Sequence, residues 1–138
     1  MPHVNATDLW TVASTVWGES RGEPYEGQVG VCWVIVNRQH LHRRWQGKSL
    51  TAICVAHAQF SCWLPSDPNY DQLQRVTVTT PGFAACLHLA LDVLTGAVPS
   101  PVGASTHYYA DSIPPPRWAQ GQTPVAVIGA HRFYANIP

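Results

Sequence analysis

The stretch Pro24-Tyr25-Glu26-Gly27-Gln28-Val29-Gly30-Val31-Cys32-Trp33-Val34-Ile35-Val36-Asn37 decides the fold. From Val29 onward it is apolar nearly all round, and a helix of that kind belongs in the middle of a core. Its β-branched residues would also suit a buried strand. The unbroken length after Pro24 favours a helix, with proline at the first position and Asn37 at the end.

On the N-terminal side, Thr7 and Asp8 can cap a helix running to about Gly18–Ser20. Its apolar positions Leu9, Val12, Ala13, Val16 and Trp17 keep the spacing of a one-faced helix. On the C-terminal side, residues 40–47 read as a basic loop. Ser49 caps a short helix from Leu50 to about Ala58. Residues 65–70 are rich in turn formers, and 72–78 carry no clear period. Thr80-Pro81 opens a further helix that Gly96 ends, with Phe83, Ala84, Leu87, Ala90, Leu91 and Leu94 as its apolar set. Beyond Gly96 the character changes. Residues 104–110 read as extended, Pro114-Pro115-Pro116 as a stiff polyproline stretch, and 125–128 and 131–134 as short strands joined through Gly129. The expectation is one α+β domain over 1–138: a mainly helical core with a small β-sheet formed largely by the C-terminal third.

Composition narrows the function. The 138 residues carry eight Lys+Arg against eight Asp+Glu, and only 12% are charged while 46% are apolar. A disordered or coiled-coil protein is excluded. Zero net charge argues against a nucleic-acid partner, which needs a basic footprint. Residues 1–8 hold no Lys or Arg and no apolar run follows at once, so no secretory leader is expected. The longest apolar run, Val31–Val36, is too short to insert in a membrane. Cys32, Cys54, Cys62 and Cys86 form no CxxC pair and have no histidine at zinc-ligand spacing, so no metal and no cofactor are expected. They read as buried thiols or as two disulfides. Six Trp and five Tyr point to a surface that stacks on something flat.

The densest chemistry lies in Trp17-Gly18-Glu19-Ser20-Arg21-Gly22-Glu23-Pro24. Glu19 falls at the edge of the first helix's apolar stripe, near its end and beside Trp17. A carboxyl group partly shielded from water can hold a proton near neutral pH, as a general acid for glycosidic cleavage must. Its flanking glycines let a polymer approach the backbone. Glycosidases commonly use a second carboxylate. Glu23, Glu26, Asp67, Asp71 and Asp111 are candidates, and Glu23 reads equally as a partner of Arg21 or of a helix N-terminus.

The segment from Val16 to Val31, continuing to Val36-Asn37-Arg38, resembles the opening motif of the SleB-type cell-wall hydrolases. That family includes spore-cortex-lytic enzymes and phage endolysins. Further matches follow in order: Gln59-Phe60-Ser61-Cys62-Trp63, Gly103-Ala104-Ser105-Thr106-His107-Tyr108-Tyr109, Pro116-Arg117-Trp118, and Ile128-Gly129-Ala130-His131-Arg132-Phe133-Tyr134. The resemblance implies a lysozyme-like helical core and cleavage of the peptidoglycan glycan strand. It makes Glu19 the single acid/base of a lytic transglycosylase, which needs no enzyme nucleophile. Ser20 resembles the second member of that class's Glu-Ser pair. Gln59 and Ser61 offer neutral hydrogen-bonding groups for N-acetyl and hydroxyl groups. Tyr108, Tyr109, Trp118 and Tyr134 offer sugar-stacking faces or ordinary core packing, and His131 a substrate contact, a support for Glu19 or a structural histidine.

Many members of that family carry a leader and a wall-binding repeat; the expectation of neither here fits a compact, monomeric phage endolysin, made in the host cytoplasm and acting on the wall from the periplasm, with a particle-associated lysin or a prophage-borne bacterial enzyme still open. Muramidase-type hydrolysis of the same bond is the first alternative. A peptidoglycan amidase or peptidase using a cysteine or a zinc ion is a second. A carbohydrate-binding module is a third, and in it Glu19 would be superfluous.

Overall fold

A computed structural model describes residues 4–138; residues 1–3, where the stretch read for a leader begins, lie outside it. Helix α1 spans Ala6–Ser20. Its cap is Asn5, whose side chain accepts from the N–H groups of Thr7 (2.8 Å) and Asp8 (3.2 Å). The cap expected at Thr7 and Asp8 is corrected accordingly: Asp8 is already helical, and its carboxylate accepts from the backbone and hydroxyl of Thr51. Helix α2, Tyr25–Leu41, starts from Pro24 as the cap residue and runs one turn past Asn37. A short 3₁₀ turn, Arg43–Trp45, follows where a basic loop was expected. Ser49 caps α3, Leu50–Val55, through the Ala52 N–H. That helix stops short of Ala58, which adopts a left-handed conformation at φ 60°.

A second 3₁₀ turn, Ser61–Trp63, and the four-residue α4, Tyr70–Leu73, flank the turn-rich stretch, and only the first residues of the aperiodic 72–78 are helical. Helix α5 spans Phe83–Leu94. Gly82 caps it with φ +80°, so Pro81 lies in the preceding turn, where its carbonyl accepts from Trp17 Nε1 at 3.0 Å.

Helix α2 is the centre. Val31, Val34 and Ile35 have no solvent exposure, and α1, α3 and α5 pack around them. The remaining side is closed by an antiparallel sheet of β1 (His107–Ala110), β2 (Ala126–Ile128) and β3 (His131–Tyr134), in the order β1-β3-β2. Gly30 makes this closure possible. A Cβ there would lie 2.9 Å from Val102 Cγ1 and 3.0 Å from Phe133 Cζ.

Polar contacts fix the same join. Asn37 Nδ2 donates to the carbonyls of Gly103 (2.9 Å) and Ser105 (3.0 Å), and Arg38 Nε to that of Thr106 (2.8 Å). Two consecutive side chains of the buried helix thus satisfy three carbonyls of the segment that leads into β1.

The register decides what each strand presents. His107 pairs with Tyr134 and Tyr108 with Phe133. Successive side chains alternate between faces. Tyr108, Phe133 and His131 therefore share one face, and His107, Tyr109 and Tyr134 share the other. The second face carries its own small core, in which Tyr109, Ala119, Tyr134 and Ile137 pack with Trp118. All four cysteines are buried and free, and no helix among the described residues is long and apolar enough to cross a membrane.

Asn37→Ala strands the buried Ser105 carbonyl and leaves that of Gly103 with only the Ser100 hydroxyl, so it is expected to cost about 1–3 kcal/mol. The check is a lower denaturant midpoint with an unchanged slope. A second expectation concerns acid. Burial, helped by the charges of Arg38, His42 and Arg44, pushes the pKa of His107 down from 6.5 to about 4. The folded state then binds fewer protons than the unfolded chain in that window, so stability is complete above pH 6.5 and falls as pH drops toward 4. His107→Gln is expected to flatten that fall when unfolding midpoints are compared across the window.

Candidate active site

Glu19 occupies the last turn of α1 and is held from two other parts of the chain. Tyr108 of β1 donates its hydroxyl to Oε1 at 2.8 Å. The Ser61–Trp63 turn supplies the Cys62 backbone N–H to Oε2 at 3.1 Å and the Ser61 hydroxyl at 3.4 Å. Three donors thus converge on one carboxyl group, on both of its oxygens.

Each donor has a local cause. The turn reaches α1 because residue 18 is glycine. A Cβ on Gly18 would sit 2.8 Å from Cys62 Cβ and 2.9 Å from its Sγ. Tyr108 is clamped between the rings of His131 (4.9 Å), Phe133 (5.6 Å) and Phe60 (6.4 Å). Burial, then the nearby Glu19 carboxylate, push its pKa well above the ordinary value, so the phenol keeps its proton and acts as a donor.

Glu19 opens into a cleft of about 410 Å³ lined by Arg38, Gln59, Ser61, Tyr108, Tyr109 and His131. A second hollow of about 430 Å³ adjoins it, lined by Arg21, Gly22, Glu23 and Ala130. The two share Gly18, Glu19, Asn69, Ala110 and His131, so Glu19 stands at the middle of one groove. Arg21 pins the groove wall by donating from Nη2 to Asn69 Oδ1 at 2.7 Å while its guanidinium lies over Trp17. A more apolar cavity of about 450 Å³, lined by Trp33, Leu50, Val93 and Leu94, lies away from Glu19. Its one carboxylate, Asp8, is bonded to Thr51, and it shares no lining residue with the groove around Glu19.

Of the residues singled out in the sequence, Glu19, Gln59, Ser61, Tyr108 and His131 meet in this groove. Three do not present their side chains there. Ser20 is buried and its hydroxyl donates to the Val16 carbonyl at 2.8 Å. Trp118 and Tyr134 pack against each other and Tyr109 on the opposite sheet face, with ring centroids 5.3 to 6.0 Å apart.

Arg38 is the largest contributor that the sequence reading passed over. It is 5% exposed, its Nη1 donates to Gln59 Oε1 at 3.3 Å, and its guanidinium lies over the rings of Phe60 and Trp45. Burial lowers its pKa to about 10, so it stays a cation at neutral pH. Asn37 and Arg38, consecutive polar residues ending an apolar helix, were the available signal. Asn69 sits in a turn and offered none. Among the described residues no three His, Cys, Asp or Glu side chains gather to hold a metal ion.

Known proteins resemble this chain in sequence and in fold. The profile of the Cell Wall Hydrolase family matches residues 22–134. The spore cortex-lytic enzyme of Halalkalibacterium halodurans is 29% identical over 128 residues, covering 91% of this chain and 34% of that protein. The Bacillus subtilis spore cortex-lytic enzyme is 58% identical over 31 residues, 22% of this chain and 10% of that protein. This chain thus spans about a third or less of the length of these curated relatives. In three dimensions it is similar to the catalytic domain of Bacillus cereus SleB, with TM-score 0.75 and 25% identity over 95% of this chain and 91% of that one. It is equally similar to the catalytic domain of the germination-specific lytic transglycosylase SleB from Bacillus anthracis, with TM-score 0.73 and 25% identity over 94% of this chain and 95% of that one. With the family profile matching residues 22–134, the chain belongs to the Cell Wall Hydrolase family.

Proposed function

We propose that this enzyme cleaves the β-1,4 bond between N-acetylmuramic acid and N-acetylglucosamine in peptidoglycan, as a lytic transglycosylase with Glu19 as its single acid/base. The observation that carries this reading is the carboxyl group fixed by three donors at the middle of a polar groove. Family membership supplies the wall polymer as substrate.

The chemistry follows from that carboxyl group. Protonated Glu19 gives its proton to the bridging oxygen as the bond to C1 breaks. The N–H of Cys62 and the hydroxyls of Ser61 and Tyr108 then stabilise the carboxylate left behind, and the Arg38 cation adds a favourable field. Glu19 next takes the proton of the muramic 6-hydroxyl, whose oxygen bonds to C1 and closes the 1,6-anhydro ring. Proton and carboxyl group end as they began, and no water is consumed. The Gln59 amide and the Ser61 hydroxyl are the groups we assign to N-acetyl and hydroxyl recognition. An endolysin setting fits the same chemistry: made in the host cytoplasm, acting as a monomer on the wall from the periplasm. It is supported by the endolysins in the family that the sequence resembles.

Glu19→Gln keeps the shape and removes the proton. We expect roughly a 10³-fold loss in clearing of purified peptidoglycan, with an unchanged unfolding midpoint. Activity within a few-fold of wild type would remove Glu19 from the mechanism. Gly18→Ala should drive the Ser61–Trp63 turn off the carboxylate, and an ångström of misplacement can cost up to about 100-fold in rate. The expected result is at least a tenfold fall in kcat at modest cost in stability.

A further inference from the structure

Among the described residues the buried ring atom Nδ1 of His131 has no hydrogen-bond partner. Such an atom calls for an explanation, because an unpaired polar atom away from water costs stability. The nearest candidate is Glu23 Oε1, 3.8 Å away. Glu23 does not stand there by accident. The same oxygen accepts the Ala130 N–H at 2.8 Å. Gly129 clears the space, since a Cβ there would lie 2.5 Å from Glu23 Oε1 and 2.9 Å from Pro24 Cδ. The elbow between α1 and α2 and the hairpin between β2 and β3 are thus fitted together around one carboxylate oxygen.

The other edge of the ring faces the substrate side. His131 lines both halves of the groove and lies against Tyr108, which holds Glu19. With Nδ1 enclosed beside Glu23, Nε2 is the ring nitrogen left to face the groove.

We propose that Glu23 is a positioning residue that fixes His131 as its Nδ1–H tautomer, so that the Nε2 lone pair accepts a hydrogen bond from a sugar hydroxyl beside Glu19. The argument rests on the glycan-cleaving reading above and deepens it. An acceptor next to the acid/base can hold a hydroxyl with its oxygen turned toward the anomeric carbon. In the opposite tautomer Nε2 would be a donor, and the hydroxyl would turn away. The charged groups around the ring are Glu23 from the elbow, Glu19 from α1 and Asp111 from the turn after β1, with the Tyr108 phenol against its face. All three carboxylates favour the imidazolium, but burial outweighs them and holds the ring below its ordinary pKa. The ring is therefore neutral at pH 7 and above, and acid should switch off the acceptor.

The test combines a spectroscopic and a kinetic reading. The 138-residue chain labelled with ¹⁵N-histidine reports each ring's tautomer by its nitrogen shifts at about pH 7.5, with His131→Gln identifying the signal. Wild type should show Nδ1–H, Glu23→Ala should move the proton to Nε2, and Glu23→Gln should keep Nδ1–H, because its amide oxygen can replace the carboxylate oxygen that accepts from Ala130 and faces Nδ1. In kcat on peptidoglycan, His131→Ala and Glu23→Ala should each lose about tenfold, the double variant should be no worse than the worse single, and Glu23→Gln should stay within about threefold. An Nε2–H signal in wild type, a tautomer indifferent to Glu23→Ala, or multiplicative losses in the double variant would overturn the proposal. The tautomer is read without substrate, so failure of the glycan-cleaving reading would show separately, as wild-type protein that leaves the glycan strand uncut.

Discussion

The groove depends on one carboxyl group being held still. A lone glutamate at a helix end is a mobile, solvated side chain, and a general acid that wanders is a poor one. Here Tyr108 arrives from β1 and Ser61 and Cys62 from a turn nearly midway between α1 and β1 in the sequence. None of these donors can reach Glu19 unless the helical part, the irregular middle and the sheet close on each other. The acid is therefore fixed by the completed fold rather than by its own helix.

What closes the fold is the buried helix α2. Its apolar sides collect α1, α3 and α5, and its one glycine-lined approach admits Phe133 and Val102. Burying a helix on every side leaves its few polar residues only internal partners. Asn37 and Arg38 turn that constraint to use by bonding the carbonyls just before β1, which sets the strand that carries Tyr108. Arg38 then reaches on to Gln59 at the groove. Core and site are joined through the same two residues.

Much of this was legible in the sequence. The periods of α1, α2 and α5 and the turn to extended structure after Gly96 were readable because packing imposes them locally. The motif around Glu19 was readable because two glycines beside a carboxyl group have little reason to exist in an ordinary helix end. The short 3₁₀ turns and α4 were not, since three or four residues carry no period. Tyr134 and Trp118 were misleading for a different reason. Alternation places Tyr108 and Tyr134 on opposite sheet faces, and only the register tells which face looks at the groove. Arg38 stayed hidden because a cation near a helix C-terminus reads as a solvated end, while its carbonyl partner, Thr106, lies 68 residues away.

The central claim is that a single clamped carboxyl group completes the reaction with no water entering the bond. Digesting purified peptidoglycan in H₂¹⁸O and weighing the muramic ends by mass spectrometry tests it directly. The transglycosylase reading proposed above predicts 1,6-anhydro ends that carry no ¹⁸O. Reducing muramic ends labelled with one ¹⁸O would mean that water attacks C1, and would replace the transglycosylase account with hydrolysis.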